Sequence, residues 1–157
     1  MSAGILAYRR GRRGVEVLLV HPGGPYWRNK DDGAWSIPKG EYAQGEDPWA
    51  AAQREFEEEV GSAPPAGPRI DLAPVKQPGG KVVTAFAVPG DLDPANARSN
   101  TFELEWPRGS GKMRTFPEVD RVQWFPVAQA RTKLLKGQLA LLDQLMADPR
   151  MAGLREG

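Results

Sequence analysis

Three glutamates at short spacing, Glu55, Glu58 and Glu59, are the residues of this chain best suited to chemistry. Their segment, PWAAAQREFEEEV, is built mostly from strong helix formers. On a wheel of about 100° per residue, Glu58 falls about 60° to one side of Glu55 and Glu59 about 40° to the other. The three carboxylates therefore share a narrow face. Trp49, Ala52, Phe56 and Val60 form an adjoining apolar stripe, and Glu57 points away from both. The acidic face borders the buried one, where the wall of a cleft would stand. By itself this arrangement costs stability. Like charges repel at i,i+3 and i,i+4, and anions in the last turn oppose the helix dipole. A hard divalent cation, Mg²⁺ or Mn²⁺, relieves both, and clustered carboxylate oxygens are the ligands such ions take. The plain alternative is a solvated acidic helix end.

The flanking residues set the helix in place. Asp47 is a good N-cap, Pro48 suits the first helical position, and Gly61 suits the stop. Upstream, Pro38-Lys39-Gly40 reads as a turn leading into a short polar loop.

Gly40, Glu46, Arg54, Glu55, Glu58, Glu59 and Gly61 stand at a spacing that resembles the Nudix box. With background usage of about one in fifteen to twenty per position, a chance match is on the order of one in a million. Two positions depart from the usual pattern: Phe56 replaces an aliphatic residue, and Ser62 a bulky apolar one. Both are packing positions, so they bear on helix docking more than on chemistry. Trp35-Ser36-Ile37-Pro38-Lys39-Gly40 resembles the family's Trp-x-x-Pro-x-Gly approach to the box.

The resemblance implies an α/β fold, a Nudix-type α/β/α sandwich around a mixed β-sheet, with one Nudix hydrolase domain over residues 1–157. It implies Mg²⁺-dependent hydrolysis of a pyrophosphate bond in a nucleoside diphosphate linked to another group. Glu55, Glu58 and Glu59 would be metal ligands, with the Gly40 carbonyl as a further one. Glu58 and Glu59 would thereby be catalytic. Arg54 would hold a glutamate of the box; its plainer role is an i,i+4 pair with Glu58. Glu46 would brace the loop, and Lys39 would meet a phosphate. Family members often recruit one more carboxylate from outside the box. Glu118 is the first candidate, because Glu118 to Trp124 resembles the late Glu-to-Trp spacing of diadenosine polyphosphate hydrolases; Glu103 and Glu105 are the reserves. The substrate implied is a dinucleoside polyphosphate or a nucleoside triphosphate, with ADP-ribose and capped RNA still open. The competing class is a Nudix-like module that binds a nucleotide without cleaving it. Such modules usually lose box glutamates, and all are intact here.

Composition bounds the rest. Lys and Arg number 21 against 20 Asp and Glu, a net charge of +1, so no broad nucleic-acid surface is expected. There is no cysteine and one histidine, which removes disulfide, thiol and multi-histidine zinc chemistry. No apolar run approaches membrane-spanning length, and the expected location is cytoplasmic.

Along the chain, Ser2 to Arg9 and Val15 to His21 read as strands around a basic turn, Arg10 to Gly14, which is expected to be solvated. His21 at a strand end reads as a hydrogen-bonded structural residue rather than a catalyst. Pro22 to Gly33 is a polar loop. Its Trp27 can stack a base and Arg28 hold phosphates, or one aromatic merely anchors it. Exposed Tyr26-Trp27 would serve a homodimer as easily as a ligand. Ala34 to Ile37 reads as a short strand. Ile70 to Gln77 and Lys81 to Val88 read as strands around Pro78-Gly79-Gly80. Thr101 to Trp106 and Val119 to Phe125 are further strands, with a turn-rich loop at Pro107 to Lys112. Val127 to Leu135 and Gln138 to Met146 read as helices, and the tail after Asp148 is expected to fray.

Overall fold

The computed structural model describes residues 1–152. Strand β1 (Ser2–Gly11) is the spine of the main sheet. Ala3, Ile5 and Ala7 pack on one of its faces, Leu6 and Tyr8 on the other, and all are buried. A strand buried on both sides needs cover on both faces of its sheet. β1 runs parallel to β6 (Val82–Pro89). Along its other edge it pairs antiparallel with β3 (Lys39–Glu41) and then with β2 (Gly14–Pro22). β9 (Val119–Pro126) extends the sheet from β2, and the short β4 (Ile70–Asp71) and β5 (Val75–Lys76) both pair with β6. The sheet is mixed. β7 (Thr101–Glu105) and β8 (Met113–Pro117) form a separate hairpin.

Helix α1 (Pro48–Val60) covers the Ile5 face through Ala51, Ala52, Phe56 and Val60. Helices α2 (Val127–Lys133) and α3 (Leu139–Ala147) lie on the other face, where Trp35, Phe125, Leu141, Leu142 and Leu145 fill the core. The product is an α/β/α sandwich. Phe56 is fully buried, so the aromatic departure from the box pattern docks well. The caps are as expected. The Asp47 carboxylate accepts the Ala50 N–H at 3.2 Å, and Gly61 stops the helix at φ 84°, a left-handed conformation that favours glycine.

Several expected elements differ. Ala34 to Ile37 makes only isolated bridges, at Trp35 with Leu134 and at Ser36 with Val20. The strand here is Lys39–Glu41 instead, so Pro38-Lys39-Gly40 is not a turn. Ile70 to Gln77 is broken in two: Leu72 N–H still donates to the Ala85 carbonyl at 3.1 Å, but Ala73 N–H turns to Gln144 and Pro74 offers no N–H. β8 is a strand that the sequence pattern did not single out: Met113, Arg114 and Thr115 are exposed, and only pairing with β7 holds it extended. The chain stays ordered past Asp148, whose side chain caps a short 3₁₀ turn, Pro149–Met151, that buries Met151 completely. The last part of the expected fraying tail, 153–157, lies outside the described residues.

Candidate active site

The C-terminal turn of α1 is where the parts converge. Its free carbonyls must find donors, and the segment after β6 supplies them. Arg98 N–H donates to the Val60 carbonyl at 2.8 Å and Asn100 N–H to the Glu58 carbonyl at 2.9 Å. Glu118 N–H then donates to the Asn100 carbonyl at 2.8 Å, and Gly23 N–H to the Glu118 carbonyl at 2.9 Å. This chain of backbone bonds ties Glu118 and the start of loop 22–33 to the acidic end of the helix.

The wheel reading of α1 holds for its glutamates, while Ala51, on the acidic side of the wheel, is buried as well and Trp49 only partly so. Glu55, Glu58 and Glu59 are half-buried and Glu57 is exposed. Glu59 accepts the Lys39 N–H at 3.2 Å. It keeps a little surface at the cavity, and burial of the rest pushes its carboxyl up to about 8, with the charges of Glu55 and Glu118 adding to the rise. Burial also raises Glu55, helped by Glu58 and Glu118 and opposed by Arg54. Glu118 therefore stands within Coulombic reach of both. Arg54 pairs with Glu46 and lies 3.4 Å from Glu55 rather than pairing with Glu58. Glu46 in turn accepts the Ala43 N–H at 3.4 Å, bracing the loop. Gly40 leaves room for Glu55: a Cβ there would lie 2.0 Å from Glu55 Oε2.

A cavity of about 200 Å³ opens beside these groups, lined by Trp27, Ser36, Lys39, Glu59, Glu118 and Leu135 among others. Trp27 and Lys39 thus share the site. Arg28 does not; it lines a separate hollow with Gly24, Phe116 and Asp120. Glu103 and Glu105 also stay away, on the exposed face of β7. Ser36 and Leu135 had no local signal. Leu135 arrives through its N–H bond to the Trp35 carbonyl, a hundred residues away in sequence. The basic turn Arg10 to Arg13 lines a larger, open hollow at the far end of β1, which no box residue lines.

The donors able to hold a divalent cation are Glu55, Glu58, Glu59 and Glu118, with the Gly40 carbonyl. Among the described residues no three acidic or histidine side chains are already drawn in around one point. An all-oxygen set around a buried carboxyl raised to about 8 fits a hard cation.

An RNA pyrophosphohydrolase of Rhodospirillum rubrum is 40% identical over 65 residues, a match covering 40% of this chain and 38% of that protein. The chain thus spans well under half the length of this curated relative. Among solved structures, the NUDIX domain of Shewanella oneidensis NrtR complexed with ADP ribose superposes with a TM-score of 0.63 at 18% identity, over 92% of this chain and 84% of that one. An Ap4A hydrolase of C. elegans, in a binary complex, gives 0.62 at 21% identity over 98% and 99%. These two likenesses speak for the fold. The sequence model of the NUDIX domain matches residues 1–145, and the chain belongs to the Nudix family.

Proposed function

We propose that this protein is a pyrophosphohydrolase that uses Mg²⁺ to cleave a nucleoside diphosphate linked to another group. The observation that carries this reading is the convergence of Glu118 on the acidic face of α1, beside Lys39 and the cavity under Trp27. A bound divalent ion would neutralise the diphosphate, polarise the scissile P–O bond and ease deprotonation of the attacking water. The chain's own residues do the positioning. Glu55, Glu58 and Glu59 hold the charge that binds the ion, and the Gly40 carbonyl adds an oxygen. Arg54 orients Glu55 through its own anchor on Glu46. Lys39 fixes Glu59 through its N–H and faces the phosphates with its amine. Glu118 orients the water or completes the ligand set. Trp27 stacks the base, and the lining of Ser36 and Leu135 limits its depth.

The substrates this reading favours are a dinucleoside polyphosphate or a nucleoside triphosphate, with a base in the cavity of about 200 Å³ and the phosphates running out over the acidic face. The relative named as an RNA pyrophosphohydrolase adds the polyphosphate end of an RNA, which presents the same groups. The test is nucleotide and phosphate release from diadenosine polyphosphates, nucleoside triphosphates, ADP-ribose and 5′-triphosphate RNA, with and without Mg²⁺. Cleavage of one class only with metal is expected. Glu58→Gln should lower turnover by about 10²–10³-fold with the fold intact. Tight nucleotide binding with no metal-stimulated turnover on any substrate overturns the enzyme reading in favour of a sensor.

A further inference from the structure

Glu59 lines two hollows. The first is the cavity under Trp27. The second, of about 270 Å³, opens between segment 94–99 and β9, where Arg98, Ser99 and Arg121 line it together with Glu59. Val119 is common to both. The acidic end of α1 therefore stands between two recesses. A nucleoside diphosphate linked to another group has the matching shape, two halves that meet at the phosphates.

The wall that carries Arg98 is firmly built. Arg98 and Asn100 give their N–H groups to carbonyls in the last turn of α1. Gly61 brings the helix end so near that a Cβ there would lie 2.3 Å from the Arg98 carbonyl oxygen. The Ser99 hydroxyl accepts the Val119 N–H at 3.1 Å and ties the segment to β9. Backbone held in this way needs little further ordering when a ligand arrives.

Most of the charges around the second hollow are already engaged. Asp120 Oδ1 stands 2.7 Å from His21 Nδ1. Arg121 lies 5.1 Å over the Trp35 ring and 3.8 Å from Asp120. Glu59 belongs to the candidate metal ligands. Arg98 is exposed and enters no ion pair among the described residues, although its backbone sits on the helix end that carries Glu57, Glu58 and Glu59.

The two hollows differ in kind. Trp27, Ala34 and Leu135 give the first a ring and apolar walls. No aromatic side chain among the described residues lines the second, so a base finds no stacking surface there. What the second hollow presents is a guanidinium, whose planar fork suits phosphate oxygens.

We infer that the second hollow seats the phosphates beyond the diphosphate, held by Arg98, so that the protein prefers chains of three or more phosphates to diphosphate-linked sugars. The inference rests on the proposed function, which puts a base under Trp27 and a diphosphate over the acidic face. A sugar in the second hollow brings hydroxyls and no charge, and leaves Arg98 without a counter-ion.

The test is calorimetric titration, with Mg²⁺, of methylene-bridged, non-hydrolysable analogues of ADP and ATP. Wild type should bind the triphosphate analogue at least about tenfold more tightly than the diphosphate one. In Arg98→Ala that preference should shrink about tenfold, and Arg98→Lys, which keeps a point charge, should retain part of it. The Arg98 side chain is exposed, so both variants should fold as wild type does. Hydrolysis of diadenosine tetraphosphate, ATP, 5′-triphosphate RNA and ADP-ribose gives the second readout. The source of the chain is the substrate whose kcat/KM falls most in Arg98→Ala, chiefly through KM, and ADP-ribose should fall least. Similar wild-type affinities for the two analogues overturn the inference and leave the proposed function standing. So does an equal loss of both in Arg98→Ala, because Arg98 would then act on the part they share. A wild type that binds neither analogue and cleaves no nucleotide sinks the proposed function and this inference together.

Discussion

Lys39 and Glu59 lie together and attract, yet each is moved away from its charged form. Burial is the leading cause on both sides: it lowers the Lys39 amine and raises the Glu59 carboxyl to about 8. Desolvation here outweighs pairing. A site built this way is short of positive charge beside its carboxylates, and a divalent cation is what would complete it.

The pH dependence of stability follows from that shift. Glu59 titrates near 8 in the fold against an ordinary value of 4.5, so the native state keeps a proton that the unfolded chain has lost. Glu59 therefore makes metal-free stability fall as pH rises from about 4.5 to about 8, and its penalty is fully present above that window. At about 1.4 kcal/mol per pKa unit the loss amounts to a few kcal/mol. Thermal unfolding in chelator at pH 5, 6.5 and 8, for wild type and Glu59→Gln, isolates the contribution: the variant should gain on the wild type as pH rises. Saturating Mg²⁺ should raise the wild-type Tm more at pH 8 than at pH 5, because ion and proton compete for one carboxylate. A gap between the two proteins that is constant over this window would contradict the assignment.

Gly40 offers a second check, on geometry alone. Its Cα faces the Glu55 carboxylate so closely that an alanine methyl would overlap it. The carboxylate is the part able to swing away, so Gly40→Ala should fold while losing one ligand from place. Mg²⁺ affinity, read by calorimetry, should drop about 10- to 100-fold, as when ligand orientation is lost in other metal sites. Wild-type metal affinity in a folded Gly40→Ala would mean that Glu55 does not need its present position.

The acidic face of α1 was legible in the sequence because helical periodicity is local. The spacing of Glu55, Glu58 and Glu59 and that of Phe56 and Val60 are fixed within one element, as are the caps Asp47 and Gly61. What lies across the chain was not. Lys39–Glu41 is a strand only because Ser2–Gly4 offers it an edge, and nothing in Pro-Lys-Gly announces that partner. Met113–Pro117 is too polar to signal a strand and is held by β7. Arg28 and Trp27 are adjacent in a loop, and composition alone cannot say which of them faces the cavity. Met151 is buried by the core of α3, not by any pattern around it.

Glu118 was separated from Glu103 and Glu105 in sequence only by its spacing to Trp124, and the structure separates them by place. Glu118 begins the turn into β9 at the cavity, while the other two face solvent on β7. Glu118→Gln should therefore cut kcat by about 10²-fold, in the range for removal of a preorganised polar group. Glu103→Gln and Glu105→Gln should leave kcat within about twofold, as exposed substitutions usually do. Steady-state kinetics on whichever nucleotide the panel selects gives the comparison. Equal losses at Glu103 and Glu118 would require the β7–β8 hairpin to fold down over the cavity during turnover.

Trp27 and Arg28 divide in the same way. The Trp27 ring is partly exposed, lines the cavity and carries the Lys30 amine over its face, a platform ready for a base. Loss of base stacking costs about 1–3 kcal/mol, so Trp27→Ala should raise KM about tenfold, and Trp27→Phe should recover most of it. Arg28 opens onto the hollow beside Phe116 and Asp120, and Arg28→Ala should leave KM within about twofold. If Arg28→Ala instead raises KM as much as Trp27→Ala, the phosphates run along the hairpin side of the loop. Trp27 and Arg28 would then both belong to the binding surface.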